Sequence, residues 1–316
     1  MDATRKARFP LKIGTRGSPL ALAQVALFKA RLVQAAPIYA APEATETCVI
    51  KTTGDKILDR PLAEIGGKGL FAKEIETALA TGGVDVAVHS LKDMETHLPP
   101  GLTIGAVLPR EDARDVLLCK TARRIAQLPN GASVGTSSIR RQAQLLHLRG
   151  DLSIQPLRGN VNSRLQKLES GAFDAEILAA AGLKRLGIEP AYATPMPIEE
   201  FLPAPCQGVI AIECRADDAL MRELLRALTD APTEAQVAAE RGLLAAVDGS
   251  CHTPIGAFAA LGWDMIHLRA LVATPDGAKL FRAERMGGLR DAERLGREAG
   301  EELRAAAPAS LFQESR

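Results

Sequence analysis

Two adjacent arginines, Arg140 and Arg141, follow Ser138 in the stretch Gly135-Thr136-Ser137-Ser138-Ile139-Arg140-Arg141-Gln142. A serine in that position reads as an N-cap, so both cations fall in the first turn of a helix. The helix dipole disfavours a cation there by about 0.3–1 kcal/mol. The placement makes sense if an anion docks on the helix start. Arg16 stands in the same way just before Ser18-Pro19, a cap followed by a first helical proline. Solvated surface arginines are the plain alternative, weakened by the repetition. Between residues 131 and 186 there are eight basic residues (Arg140, Arg141, Arg149, Arg158, Arg164, Lys167, Lys184, Arg185) against four acidic ones, a local +4. Arginine pairs bidentately with carboxylates and phosphates, so this segment fits a small polyanion.

Lys92-Asp93 directly follows Val84-Asp85-Val86-Ala87-Val88-His89, whose alternation reads as a strand. Ligands of open α/β sheets bind beyond the carboxyl ends of strands. An aspartate there can move protons or stabilise a cation, unless it simply occupies a surface turn. Cys251 lies in the tight loop Gly249-Ser250-Cys251-His252-Thr253-Pro254-Ile255-Gly256. Its thiol could carry a covalent group, with an inert loop thiol as the alternative. His252 is its sequential neighbour and so does not form a Cys–His pair with it. Gly66-Gly67-Lys68-Gly69 lacks the full phosphate-loop pattern, because glycine follows the lysine. A nucleotide hydrolase is rejected, and this stretch reads as a loop into a helix from Phe71. Cys48, Cys119 and Cys214 sit in apolar runs and read as core, whereas Cys206 lies in a proline-bounded loop. No cysteine or histidine spacing suggests zinc, and His89 with His97 is not read as a metal pair.

The elements that position these residues alternate short apolar runs with amphipathic stretches, the mark of an α/β chain. Strands are expected at 11–14, 48–51, 84–89, 116–119 and 133–136, with 153–157 extended. Helices are expected from Ser18, at 71–80, 138–148 and 160–170. Gly182 is expected to begin a turn. Ile13-Gly14-Thr15-Arg16-Gly17-Ser18 and Val134-Gly135-Thr136-Ser137-Ser138 both run strand, Gly-Thr turn, helix start, as two similar α/β domains would. The run Val209–Ile212 is expected to return to the first domain's sheet. Pro232-Thr233 is expected to cap a helix opening a smaller third domain, with strands near 257–260 and 266–272 and a last helix at 291–306.

Composition narrows the classes. The 316 residues balance 39 Lys and Arg with 38 Asp and Glu, a formal net charge of +1, which argues against a protein held on nucleic acid by overall charge. Aromatic residues make up 3%, which argues against base-stacking platforms. No apolar run approaches the ~20 residues of a membrane helix, and the first residues lack a signal-peptide core. The five cysteines are odd in number and widely spaced, as suits free thiols in a reducing compartment.

Taken in order, Gly14–Ala21, Gly66–Phe71, Val88–Asp93, Gly135–Gln142, Leu157-Arg158-Gly159-Asn160-Val161, Ala181–Leu186 and Gly249-Ser250-Cys251 resemble the porphobilinogen deaminases (hydroxymethylbilane synthases) over nearly the whole chain. The resemblance implies two similar α/β domains of the periplasmic-binding-protein kind around a cleft, plus a small α+β C-terminal domain. The implied boundaries are 1–110 with 206–228, then 111–205, then 229–316. It implies an enzyme that joins four porphobilinogen units head to tail with release of ammonia, yielding hydroxymethylbilane for tetrapyrrole biosynthesis. The chain would grow on a dipyrromethane cofactor thioether-linked to Cys251.

By the same match, Asp93, Lys92 and Arg16 are catalytic, Asp93 stabilising the azafulvenium cation left by ammonia. Cys251, Asp93, Lys92, Thr136, Ser138, Arg140, Arg141 and Arg164 hold the cofactor. Arg16, Ser18, Lys68, Phe71, Arg158, Arg164 and Arg185 bind substrate, with Phe71 packing on a pyrrole ring and Lys68 in a loop over the cleft. No metal, nucleic acid or membrane partner is implied, and the expected form is a cytoplasmic monomer. The chain departs from the family pattern at Cys206 (usually Gly), His252 (commonly Gln) and Glu176, which enters a run that is usually apolar. A two-lobed anion-binding module and an RNA-binding protein using the basic segment are the competing readings. The first gives no reason for Cys251, and the scarcity of aromatics weighs against the second.

Overall fold

The computed structural model describes residues 8–56, 71–247 and 253–312. Contacts divide the chain into two compact units. The first draws described residues from 8–56, 71–110 and 209–234, and the second from 111–208, 235–247 and 253–312.

The first unit is built on β1 (Leu11–Thr15), β2 (Thr45–Val49), β3 (Val86–Ser90), β4 (Leu102–Val107) and β10 (Ile210–Arg215), in the order β2-β1-β3-β10-β4. β1 runs parallel to β2 and β3, while β10 is antiparallel to both β3 and β4. The run after Val209 thus returns to the first sheet, as its apolar pattern suggested. On one face, Leu11, Ile13, Val86, Val88, Ile210 and Ile212 pack with Val25, Phe28 and Leu32 of α1 (Pro19–Ala35) and Leu225 of α7 (Ala219–Arg226). Ile75 and Leu79 of the helix Lys73–Ala80 pack with Val84, Ala87 and Leu102 in a second cluster. A short helical turn, Thr53–Lys56, counts as α2, so Lys73–Ala80 is α3.

The second unit carries β5 (Asp115–Leu118), β6 (Ser133–Gly135), β7 (Ser153–Gln155), β8 (Ala175–Ala179) and β9 (Ala193–Pro195), in the order β7-β6-β8-β5-β9. β6 is parallel to β7 and β8, and β5 is antiparallel to β8 and β9. This is the arrangement of the first sheet strand for strand, so the Gly-Thr echo reflects a repeated supersecondary plan. Helices α4 (Ile139–Leu148), α5 (Val161–Glu169) and α6 (Ala180–Arg185) follow β6, β7 and β8. The same unit holds an antiparallel sheet of β11 (Ile255–Gly262), β12 (Met265–Ala273) and β13 (Leu280–Gly288). One of its faces packs on α8 (Ala231–Val247) and α9 (Ala292–Ala306) through Leu243, Val247, Ile266, Leu268, Leu295 and Leu303. The two helices approach backbone to backbone. A Cβ on Gly296 would collide with the Ala239 carbonyl, so only glycine fits there.

Three local expectations change. Gly182 lies buried inside α6 instead of opening a turn, because the run Ala179–Leu183 passes straight from strand to helix. The α8 start is capped by Asp230, whose carboxylate accepts from the Thr233 N–H at 3.0 Å, with Thr233 as the donor. β2 begins three residues earlier than expected, since an edge strand can be as polar as Thr45-Glu46-Thr47.

Candidate active site

In the first unit the chemistry gathers at the carboxyl end of β3. Ser18 caps α1 by accepting from the Ala21 N–H at 3.2 Å, which turns the helix start toward that end. A pocket there is lined by residues that include Arg16, Ser18, Gln24, Phe71, His89, Ser90 and Asp93. Gln24 is buried and donates to the Ser90 hydroxyl at 2.7 Å. Asp93 and Lys92 stand on the single 3₁₀ turn Leu91–Asp93 that ends β3, and both are exposed.

Arg16 is not left to solvent. Its Nη2 lies 2.5 Å from Asp55 and its guanidinium carbon 4.1 Å from the Phe71 ring centroid. Partial burial works against the Asp55 carboxylate, but hydrogen bonds from Arg16 and Thr52 hold its pKa below the ordinary value. Phe71 therefore sits beneath Arg16, in a cation–π contact.

In the second unit Ser138 caps α4, accepting from the Arg141 N–H at 3.4 Å, while Thr136 accepts from the Ser138 N–H at 3.2 Å. Arg140 and Arg141 both turn inward. Arg140 Nη1 reaches Asp115 at 2.7 Å and the Leu202 carbonyl at 2.7 Å. Arg141 reaches Asp115 through Nη2 at 2.6 Å and the Ile177 carbonyl through Nη1 at 2.9 Å. Gln207 adds a donor to Asp115 at 3.0 Å. The anion required beside these two cations is thus the protein's own Asp115, wholly buried, which corrects the expectation of an external anion as the sole reason for them. Burial alone would push the Asp115 carboxyl up; the two guanidiniums outweigh it and hold it well below the usual carboxylate range.

Arg158 and Arg164 flank the start of α5, both half-buried, and Arg164 Nε donates to the Gly159 carbonyl at 2.9 Å. Gly159 has φ +117°, and a Cβ there would strike the Ser163 hydroxyl. Arg185, at the end of α6, donates to the Gly208 carbonyl at 2.7 Å; burial draws its pKa down to about 10, so it stays cationic at neutral pH. Cys251 and Lys68 lie outside the described residues, as do Gly66–Gly69 and His252.

Five functional-looking groups escaped or exceeded the sequence reading. Asp115 opens an apolar strand, and its arginine partners lie 25 and 26 residues away. His89 pairs with Glu213 across β3 and β10, and Glu76 approaches from α3 with 6% exposure. The available signal was an acid inside the otherwise apolar run Ile210-Ala211-Ile212-Glu213-Cys214. Glu176, noted as a departure, is wholly buried with neither carboxylate oxygen hydrogen-bonded among the described residues.

Comparison with known proteins gives two matching family profiles, "Porphobilinogen deaminase, dipyromethane cofactor binding domain" over residues 11–223 and "Porphobilinogen deaminase, C-terminal domain" over residues 235–305. A porphobilinogen deaminase of Paracoccus denitrificans is 50% identical over 303 residues, covering 96% of each chain. One of Nitrobacter winogradskyi is 49% identical, covering 95% of this chain and 94% of that one. A chloroplastic one of Oryza sativa is 46% identical, covering 96% and 85%. Likenesses among solved structures are weaker. An ABC transporter/periplasmic binding protein from Brucella ovis with glutathione bound has a TM-score of 0.43 and 16% identity, covering 75% of this chain and 68% of that one. A putative methionine-binding lipoprotein from Bacillus subtilis has a TM-score of 0.42 and 13% identity, covering 71% and 91%. At those scores the fold rests on the strand orders given above. Among the described residues, no helix is long and apolar enough to cross a membrane.

Proposed function

This chain belongs to the porphobilinogen deaminase family, and from that premise we propose how its own residues carry the reaction. The activity is the deamination and joining of porphobilinogen into hydroxymethylbilane, in tetrapyrrole biosynthesis, and the family's cofactor is dipyrromethane. When bound, the cofactor supplies the terminal pyrrole carbon that accepts the incoming unit. The donor set fits such a polycarboxylate. Arg158, Arg164 and Arg185 are half-buried cations, and Arg140 Nε is a buried donor with no partner among the described residues. Cys251 is the attachment point in this reading.

Asp93 is the central residue. Its carboxylate lines the pocket and opposes the positive charge that develops as ammonia leaves the substrate. Arg16 and Lys92 place positive charge on the substrate's acetate and propionate arms, with Asp55 keeping Arg16 oriented between turnovers. Ser18 and Ser138 accept as helix caps, so among the described residues each hydroxyl keeps its own hydrogen to donate to a carboxylate. Among the described residues the Thr136 hydroxyl likewise only accepts. Arg140 and Arg141, locked on Asp115, fix the α4 start that presents these hydroxyls. Lys68 and Phe71 complete the substrate contacts, Phe71 through Arg16. We also carry forward the division 1–110 with 206–228, 111–205 and 229–316, supported by a separate apolar core under each sheet, and a cytoplasmic monomer.

The observation that carries this reading is the convergence of Arg16, Ser18, Ser90 and Asp93 on one pocket at the end of β3. Intact mass of the purified protein tests it. Two added pyrrole units are expected, and Cys251→Ser should lack both them and turnover. Active protein with the bare polypeptide mass would refute the role of Cys251.

A further inference from the structure

Behind that pocket lies a polar cluster the reaction as described leaves unused. His89 Nε2 stands 3.1 Å from Glu213 Oε2, with side chains 6% and 0% exposed. In the β3–β10 pairing Ala211 lies opposite His89 and Glu213 opposite Ala87, so both side chains point to the face that α3 covers. From α3 comes Glu76, also buried. One oxygen on each of Glu76 and Glu213 has no hydrogen-bond partner among the described residues. Burying two carboxyls around one imidazole is costly, and packing alone would favour apolar side chains.

Among the described residues, the charges around the cluster do not neutralise it. Glu95, in the segment after β3, adds negative charge to Glu76. Arg215, two residues along β10 on the same strand face, spends its guanidinium on the Leu79 and Val84 carbonyls and on Asp218. Burial, then the charge of Glu213, push the Glu76 carboxyl up to about 7, with His89 acting in the opposite direction. His89 itself lines the pocket with Arg16, Ser90 and Asp93.

We propose that His89, Glu213 and Glu76 form a proton-holding cluster for the condensation, acting on the pocket through His89. Each addition forms one C–C bond and breaks two bonds, the C–N bond of the aminomethyl group and the C–H bond of the accepting pyrrole carbon. Ammonia departs, and the proton from that C–H bond passes to the cluster. It leaves again as ammonia is protonated, so the cluster ends each cycle as it began. The inference rests on the placement of substrate beside Asp93. Glu213 and Glu76 are positioning residues in it, since they act through His89.

The test is the pH dependence of kcat and KM for cofactor-loaded Glu76→Gln and Glu213→Gln, loading being verified by intact mass. The parent should show an inflection near neutral pH that Glu76→Gln lacks. Glu213→Gln should lower kcat about tenfold or more with little change in KM. Parent-like profiles and kcat in both variants, or a loss confined to KM, would overturn the proposal. If Glu213→Gln does not fold, Glu76→Gln decides alone. Should the reading of Asp93 itself be wrong, Asp93→Asn would stay active; should only the cluster be wrong, Asp93→Asn would be inactive while both glutamine variants behave as the parent.

Discussion

The two five-stranded sheets share one strand order and one pattern of parallel and antiparallel neighbours, yet they carry opposite chemistry at corresponding places. Where β3 ends, the first unit presents Lys92-Asp93; where β8 ends, the second presents α6 with Lys184 and Arg185. At the first helix after the leading strand, Arg16 is 26% exposed and pairs with an equally exposed Asp55, whereas Arg140 and Arg141 are 6% and 8% exposed and share a wholly buried Asp115. Each unit also buries a carboxyl near neutrality. Glu76 meets a histidine and a second acid, while Glu176 lies among the charges of Arg164, Arg141 and Lys167. The scaffold is repeated, and under the proposed function its charges divide the labour: one copy would handle protons and a cation, the other would hold anions.

The sharpest way to break this contrast is to remove each unit's aspartate partner in turn. Asp115→Asn strands two buried guanidiniums and should cost about 3–5 kcal/mol in chemical denaturation. Asp55→Asn loosens a half-exposed pair and should cost under about 1 kcal/mol. Equal losses would mean that the second unit's arginines are no more structural than Arg16.

Next in size is Glu176→Ile. Burial raises the Glu176 pKa to about 7, with Arg164, Arg141 and Lys167 opposing the rise. The folded state therefore holds a proton that the unfolded chain, titrating near its ordinary value, has already released. The parent loses stability as pH climbs from the ordinary carboxylate range through neutrality, by up to about 2–3 kcal/mol. The isoleucine variant should gain little at acid pH and most of that amount at mildly alkaline pH. A gain that does not vary with pH would show that Glu176 stays ionised when folded.

The smallest effect concerns Cys206, which has φ +61° and whose N–H donates to Glu240. At that φ a Cβ is strained, so Cys206→Gly should be more stable than Cys206→Ala by about 1 kcal/mol, reversing the usual order of the two residues. The usual order would remove the strain argument.

What the sequence made legible was local. Ser18-Pro19, Ser138 and Asn160 each cap the helix they were expected to start, because a cap is written in three or four consecutive residues. β1, β3, β5 and β6 were visible as apolar runs. β13 was not, since a partly buried Arg285 and an exposed Met286 break the alternation that Arg282 and Glu284 begin. Of the site, Asp93 and the arginines could be picked out by motif and placement. The partners that explain them could not. Asp115 reads as the polar edge of a strand, and His89 and Glu213 are 124 residues apart, joined only by the register of β3 with β10. Buried pairs of this kind are products of tertiary pairing and leave no short-range trace.

The division of labour rests on Asp93, and one variant addresses it most directly. Asp93→Asn, measured by intact mass and by turnover of porphobilinogen on the same preparation, should keep the added mass of two pyrrole units and lose at least about a hundredfold in kcat. Turnover within about twofold of the parent, with the cofactor in place, would contradict the account.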